Sequence, residues 1–122
     1  MSRNEKKVNI ISGVSFGIKK GEIFGLVGES GSGKSLTALS IMRLVPPFMN
    51  IEGEVFFRQK NQMTDLLSLP ADEVRKIRGN SIAMVFQEPM TSLNPVFTIG
   101  RQIGEVLEIH RGLSKRESRE RA

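Results

Sequence analysis

Apolar residues fall into several distinct patterns along this chain. Val14-Ser15-Phe16-Gly17-Ile18 alternates apolar with small or polar positions. A period of two predicts a half-buried strand. Lys19-Lys20-Gly21-Glu22 predicts a turn. Ile23-Phe24-Gly25-Leu26-Val27 and Ile82-Ala83-Met84-Val85-Phe86 do not alternate. Unbroken apolar runs of this length are the pattern of strands covered on both faces in a parallel sheet. Between them, Leu36, Leu39, Ile41, Met42 and Leu44 lie on a helical face, predicting a helix over 34–44 that Pro46-Pro47 stops.

The next stretch is weaker in pattern. Residues 51–57 alternate and are rich in β-formers, which predicts a strand. Residues 58–64 are polar and predict a turn back. Leu66, Leu67 and Leu69 suit a second short strand or an apolar ledge. Pro70 suits the first turn of a short helix over 70–78. Asp72 and Glu73 sit near its positive end, Arg75, Lys76 and Arg78 near its negative end, and Gly79 beyond it. Thr98 can cap a helix over 99–110 with Ile103, Val106, Leu107 and His110 on one side, ended by Gly112. Ser114 and Glu117 have the spacing of a capping box, which opens a further helix.

Together these elements predict an α/β chain. Two core parallel strands are too few for a doubly wound sheet, and the last helix reaches Ala122 before it shows an apolar face. The expectation is therefore the N-terminal part of a larger domain. Residues 1–97 would belong to its core and 98–122 to the start of a helical part.

Composition excludes several classes. The 122 residues are 39% hydrophobic and 25% charged, which is ordinary for a folded soluble chain rather than a disordered one. There is no cysteine, which excludes disulfides and thiolate metal sites. No apolar run nears the roughly 20 residues of a membrane span. The charged start, Met1 to Lys7, has no long apolar segment behind it and does not read as a signal peptide. The 18 basic and 13 acidic residues leave a net charge of +5, which could suit lipid headgroups or nucleic acid. Part of the excess lies in the mixed-sign tail 115–121. The chain has no Trp or Tyr, and no basic–aromatic interleaving of the kind a nucleic-acid surface uses. The tail therefore reads as a solvated helix, with no nucleic-acid partner.

One stretch carries chemistry. Gly28-Glu29-Ser30-Gly31-Ser32-Gly33-Lys34-Ser35 fits G-x-x-x-x-G-K-[ST], the P-loop pattern, and it lies between the apolar run 23–27 and the helix from Lys34. Such a match arises by chance at about one start site in 30,000 at average residue usage. Glycines let the backbone approach a phosphate and adopt positive φ. Successive N–H groups then form an anion nest, and the helix N-terminus adds its own N–H groups and dipole. Lys34 would reach the outer phosphates and the Ser35 hydroxyl a Mg²⁺ ion. The alternative is a Gly/Ser-rich turn with no ligand. Gln87 ends the second apolar run, at the strand edge where α/β sheets bind ligands; a solvated strand end is its alternative reading.

With the loop in place, the run Phe86-Gln87-Glu88-Pro89-Met90-Thr91-Ser92-Leu93-Asn94-Pro95 resembles the ATP-binding subunits of ABC transporters, most of all the dipeptide/oligopeptide/nickel import group. Asp65-Leu66-Leu67, residues 75–79 and the helix from Ile99 are similar to that group too, so the resemblance spans essentially the whole chain. It implies a P-loop NTPase fold of the ABC ATPase type, incomplete here: part of the core parallel sheet, a β subdomain and the start of a helical subdomain. It implies that Gly28 and Ser30, Gly31, Ser32, Gly33, Lys34, Ser35 and Leu36 wrap ATP phosphates. Lys34 would neutralise the β- and γ-phosphates and Ser35 would bind Mg²⁺. Gln87 would touch Mg²⁺ or the attacking water and relay nucleotide state.

The implied partners are membrane-spanning permease subunits and a second ATP-binding subunit. The implied place is peripheral, on the cytoplasmic side of the cell's inner membrane, with membrane contact only through the permease. The sequence departs from the family in two respects. No aromatic lies near Glu5 to Val8 to stack on adenine, so that role would fall to Val8 or Arg3. The 122 residues also contain no LSGGQ motif, no Walker B Asp-Glu and no switch histidine; His110 sits near a helix C-terminus, where a His is favourable in any case. The chain by itself is therefore not expected to turn over ATP at a useful rate. The competing readings are a non-catalytic nucleotide-binding or interaction remnant and a P-loop small-molecule kinase, the latter disfavoured by residues 86–95.

Overall fold

The computed structural model describes residues 8–87 and 93–122. The chain divides into two compact units, Met1–Leu67 and Ser68–Ala122.

In the first unit, α1 spans Lys34–Ile41. It is shorter than the helix expected over 34–44, and it is not Pro46-Pro47 that ends it. Arg43 takes a left-handed conformation (φ 53°), its N–H donates to the Ser40 carbonyl at 3.0 Å, and the Leu44 N–H reaches back to the Leu39 carbonyl at 2.8 Å. These two bonds satisfy carbonyls at the end of the helix, in the pattern usually built around glycine. Arg43 Nη1 also donates to the Leu66 carbonyl at 3.2 Å, which ties the end of α1 to the hairpin that follows.

That hairpin pairs β1, Phe56–Gln59, antiparallel to β2, Gln62–Asp65, with Gln59 opposite Gln62. Only Lys60 and Asn61 lie between the strands, and both have positive φ (47° and 67°). This matches the type I′ turn, whose twist suits a two-residue hairpin. The expected strand over 51–57 is thus displaced toward the C-terminus, and the polar stretch 58–64 does turn back, at Lys60-Asn61, with strand on both sides of the turn. Leu66-Leu67 follows as a ledge, not a strand. The Leu66 N–H donates to the Val55 carbonyl at 2.8 Å, and Asp65 Oδ1 accepts from the N–H groups of Val55 and Leu67 at 2.9 and 3.1 Å. Met42 and Leu66 are the buried apolar side chains of this unit among its described residues.

The runs 14–18 and 23–27, expected as strands, form no ladder among the described residues. The turn between them is present, closed by the Glu22 N–H on the Lys19 carbonyl at 3.1 Å. Phe16 and Phe24 stack across it with ring centroids 4.9 Å apart. Yet Ile23 and Val27 are 99% and 93% exposed. A parallel strand needs neighbours for its backbone groups and cover on both faces, and the described residues supply neither.

The second unit holds α2, Ala71–Ile77, and α3 and α4, Ile99–Arg111 and Lys115–Arg121. Helix α2 carries the acidic start and basic end read from the sequence, with Pro70 just before its first residue and Gly79 at φ 77° beyond its end. The 82–86 run is unladdered apart from one parallel bridge, Arg78 with Ile82, and Val85 is 95% exposed. The predicted buried strand is absent here for the same reason as in the first unit.

Helices α3 and α4 pack together through small residues. A Cβ built on Gly104 would lie 3.6 Å from Ser118 Cβ, an ordinary contact, and Ser118 is buried. Thr98 caps α3 by accepting from the Arg101 N–H at 3.3 Å, and Gly112 ends it at φ 63°. Ser114 and Glu117 form the capping box at the start of α4. No helix among the described residues is long and apolar enough to cross a membrane.

Candidate phosphate-binding loop

The loop at 28–33 is shaped by its glycines. Gly31 and Gly33 have φ of 80° and 93°, a region most side chains avoid. A Cβ on Gly28 would come within 2.6 Å of Ser32 Oγ. The Ser32 N–H closes the turn on the Glu29 carbonyl at 3.2 Å. Helix α1 starts directly from Gly33, whose carbonyl accepts from the Thr37 N–H and hydroxyl at 2.8 and 3.0 Å.

No side chain caps α1, and its first turn carries no acidic residue. The N–H groups of that turn have no intrahelical acceptor, so they are left for an outside anion. Lys34 folds back over the loop. Its ammonium donates to the carbonyls of Gly28 and Glu29 at 2.7 and 2.6 Å and to Ser32 Oγ at 3.2 Å. The cation is therefore held at the loop by three acceptors. Glu29, Ser30, Gly31, Ser32 and Ser35 are exposed, and a side chain at Gly31 would meet open space. Uncapped N–H groups, a fixed ammonium and an open approach make a donor set that fits a polyphosphate. The Ser35 hydroxyl, at the exposed second residue of α1, is an oxygen that could serve a divalent cation.

All the loop residues read from the sequence, Gly28 and 30–36, are brought together in the first unit. Gln87 lies in the second, exposed just after the run 82–86. Of the run 86–95 that carried the resemblance, residues 88–92 lie outside the described residues, as does the stretch 1–7 that holds Arg3.

Two residues escaped the sequence reading. Ile11 rests against the loop: a Cβ on Gly33 would fall 2.9 Å from its Cδ1. Gln102, on α3, accepts from the Asn94 N–H at 2.8 Å and donates to the carbonyls of Asn94 and Phe97 at 3.0 Å each, so it pins the segment that follows residue 92. Nothing in a single sequence marks either one. Ile11 is one of four apolar residues between Val8 and Val14, and Gln102 is a polar residue on a helix.

Two concave surfaces among the described residues lie away from the loop. One, of about 520 Å³, runs along α3 and α4 between Arg101, Glu108, Lys115 and Arg119. Arg101 and Arg116 are paired there with Glu108 and Glu120 at 3.0 and 3.1 Å. A phosphate loop offers N–H groups at an open turn rather than an enclosed apolar cavity, so its absence from these concavities is in keeping with its chemistry.

Residues 11–122 match the family model described as ABC transporter. A probable peptide ABC transporter ATP-binding protein of Sinorhizobium fredii is 50% identical over 120 residues, 97% of this chain and 35% of that protein. An oligopeptide transport ATP-binding protein of Bacillus subtilis is 50% identical over 122 residues, 98% of this chain and 36% of that protein. A glutathione import ATP-binding protein of Salmonella typhimurium is 48% identical over 116 residues, 93% of this chain and 19% of that protein. The chain thus spans about a third, or less, of the length of the curated relatives it matches. No solved structure matches it significantly. With the family model covering nearly all of its residues and relatives at about half identity, the chain belongs to the ABC transporter family, whose ATPase domain implies a P-loop NTPase fold and ATP binding.

Proposed function

We propose that this chain is the phosphate-binding part of the ATP-binding subunit of an ABC importer for peptides or similar solutes. The observation that carries the proposal is the loop 28–33 opening an uncapped helix, with the Lys34 ammonium fixed over it. Gly28 and residues 30–36 hold the phosphates of ATP through backbone N–H groups. Lys34 balances the charge of the outer phosphates, and Ser35 holds Mg²⁺. Gln87 reaches the metal or the water that attacks, and its loop reports nucleotide state to a permease subunit. Residues 1–97 belong to the ATPase core and 98–122 to the start of a helical part. The nucleotide is closed in by a second ATP-binding subunit, and the assembly sits peripherally on the cytoplasmic face of the inner membrane. The names of the relatives support the solute class, and the uncapped loop geometry supports the ligand.

Titration calorimetry of ATP with Mg²⁺ into the chain tests this reading. Lys34→Ala removes a charge-assisted contact to polyphosphate and should weaken binding about 100-fold, or about 2.7 kcal/mol. A chain that does not bind ATP, or whose affinity is unchanged by Lys34→Ala, overturns it.

A further inference from the structure

Among residues 8–32, every position is exposed except Ile11. This isoleucine is half-buried, and it lies beside Gly33 of the loop. A Cβ built on Gly33 would lie 2.9 Å from Ile11 Cδ1 and 3.0 Å from Cγ1. The side chain therefore lies against the bare backbone of the residue from which α1 starts, in the space any other residue at 33 would fill.

Gly33 is also left-handed, at φ 93°, with no side-chain cap to hold it. The N–H groups of the first turn of α1 take their direction from the peptide at 33. A left-handed glycine is free to leave that conformation, since glycine has the widest choice of backbone states. Something must narrow that choice if the N–H groups are to stay convergent. Dispersion contacts from a stiff β-branched side chain against the glycine backbone do so without placing a polar group near the anion.

We infer that Ile11 is a positioning residue for polyphosphate binding: it presses on Gly33 and holds the first-turn N–H groups of α1 in their binding direction. The inference rests on the phosphate-loop reading above. It assigns Ile11 no contact with the nucleotide. Its effect passes through the backbone at 33, so it acts on the phosphates and is blind to the base.

The test measures the affinity of the full chain for MgATP and for inorganic tripolyphosphate by calorimetry, with helix content followed by circular dichroism. Ile11→Ala should weaken both ligands by the same factor, about fivefold, for the loss of three half-buried carbons. Ile11→Val, which keeps the branch but loses Cδ1, should fall between, with helix content unchanged in both variants. The pair Ile11 and Gly33 should be non-additive: Gly33→Ala should weaken tripolyphosphate binding less in the Ile11→Ala background than in the wild type, because the clash is gone and only the backbone strain remains. Unchanged affinity in Ile11→Ala overturns the inference. So does a loss confined to ATP, which would place Ile11 against the base, or strict additivity with Gly33→Ala. If the wild-type chain binds neither ligand, the phosphate-loop reading itself fails and this inference falls with it; a wild type that binds and variants that bind equally well sink the inference alone.

Discussion

Helices α1 and α4 start in opposite ways. Helix α4 is closed at its first residue. Glu117 N–H donates to Ser114 Oγ at 3.3 Å, and the Glu117 carboxylate accepts from the Ser114 N–H and hydroxyl at 2.9 and 2.6 Å. Its positive end is met by its own anion. Helix α1 starts from a left-handed glycine, with no cap and no acid in its first turn. A helix end without a cap is less stable, because its first N–H groups have only water and no partner inside the chain. In α4 the sequence removes that cost locally. In α1 it is left in place, and the lysine beside it is bound to loop carbonyls rather than to an acid. An end left open in this way is selective for something that arrives from outside with negative charge.

This contrast can be broken at either helix. The largest effect is expected from giving α1 the internal anion that α4 already has. Gly31→Asp places a carboxylate at the loop where a side chain meets open space, in a left-handed conformation Asp tolerates better than most residues. Repulsion of a polyphosphate at close range should lower MgATP affinity about 100-fold by calorimetry, about 2.7 kcal/mol, while the helix signal in circular dichroism is kept. Removing the closure from α4 is a smaller change. Ser114→Ala should destabilise α4 by about 1 kcal/mol, read as lost helix content, and should leave nucleotide affinity untouched.

The smallest effect is a pH dependence. Hydrogen bonds from the Ser114 hydroxyl and then the Ser114 N–H hold the Glu117 carboxyl below its ordinary value. A group whose folded value is depressed contributes stability above its ordinary value and loses it as pH falls through the folded one. Helix content of α4 should therefore drop as acidification protonates this carboxylate, and Glu117→Gln should flatten that part of the profile. A mutant profile with the same acid limb as the wild type would remove Glu117 from the account.

The features that the sequence made legible share one property: their bonds close within a few residues. The capping box at Ser114 and Glu117, the Thr98 cap, the stop at Gly112 and the loop at 28–35 each depend on side chains or positive φ at fixed short spacings. The hairpin was misplaced because its second strand, Gln-Met-Thr-Asp, has no apolar alternation, and its turn, Lys60-Asn61, has no glycine to announce it. Only the pairing of Phe56 with Asp65 through Gln59 with Gln62 shows where the register lies. The end of α1 was misplaced for a related reason. Arginine at a left-handed position is not a stop signal in a sequence, and what holds it there is the carbonyl of Leu66, 23 residues away.

The unbroken apolar runs 23–27 and 82–86 mark the other limit. Their composition is right for buried parallel strands, and Ile23, Val27 and Val85 are nevertheless almost wholly exposed. Strand propensity describes fit to a covered, paired surface rather than a preference of the isolated backbone. The amino-acid sequence alone determined the glycine loop at 28–33 and the helix start behind it, the caps of α3 and α4 and the family, because those rest on residue type at short spacing. The tertiary structure decided the hairpin register, the left-handed end of α1, the contact of Gly104 with Ser118 and the seat of Ile11 on Gly33. Each of these depends on a partner brought near by the fold, and no pattern within either segment names that partner.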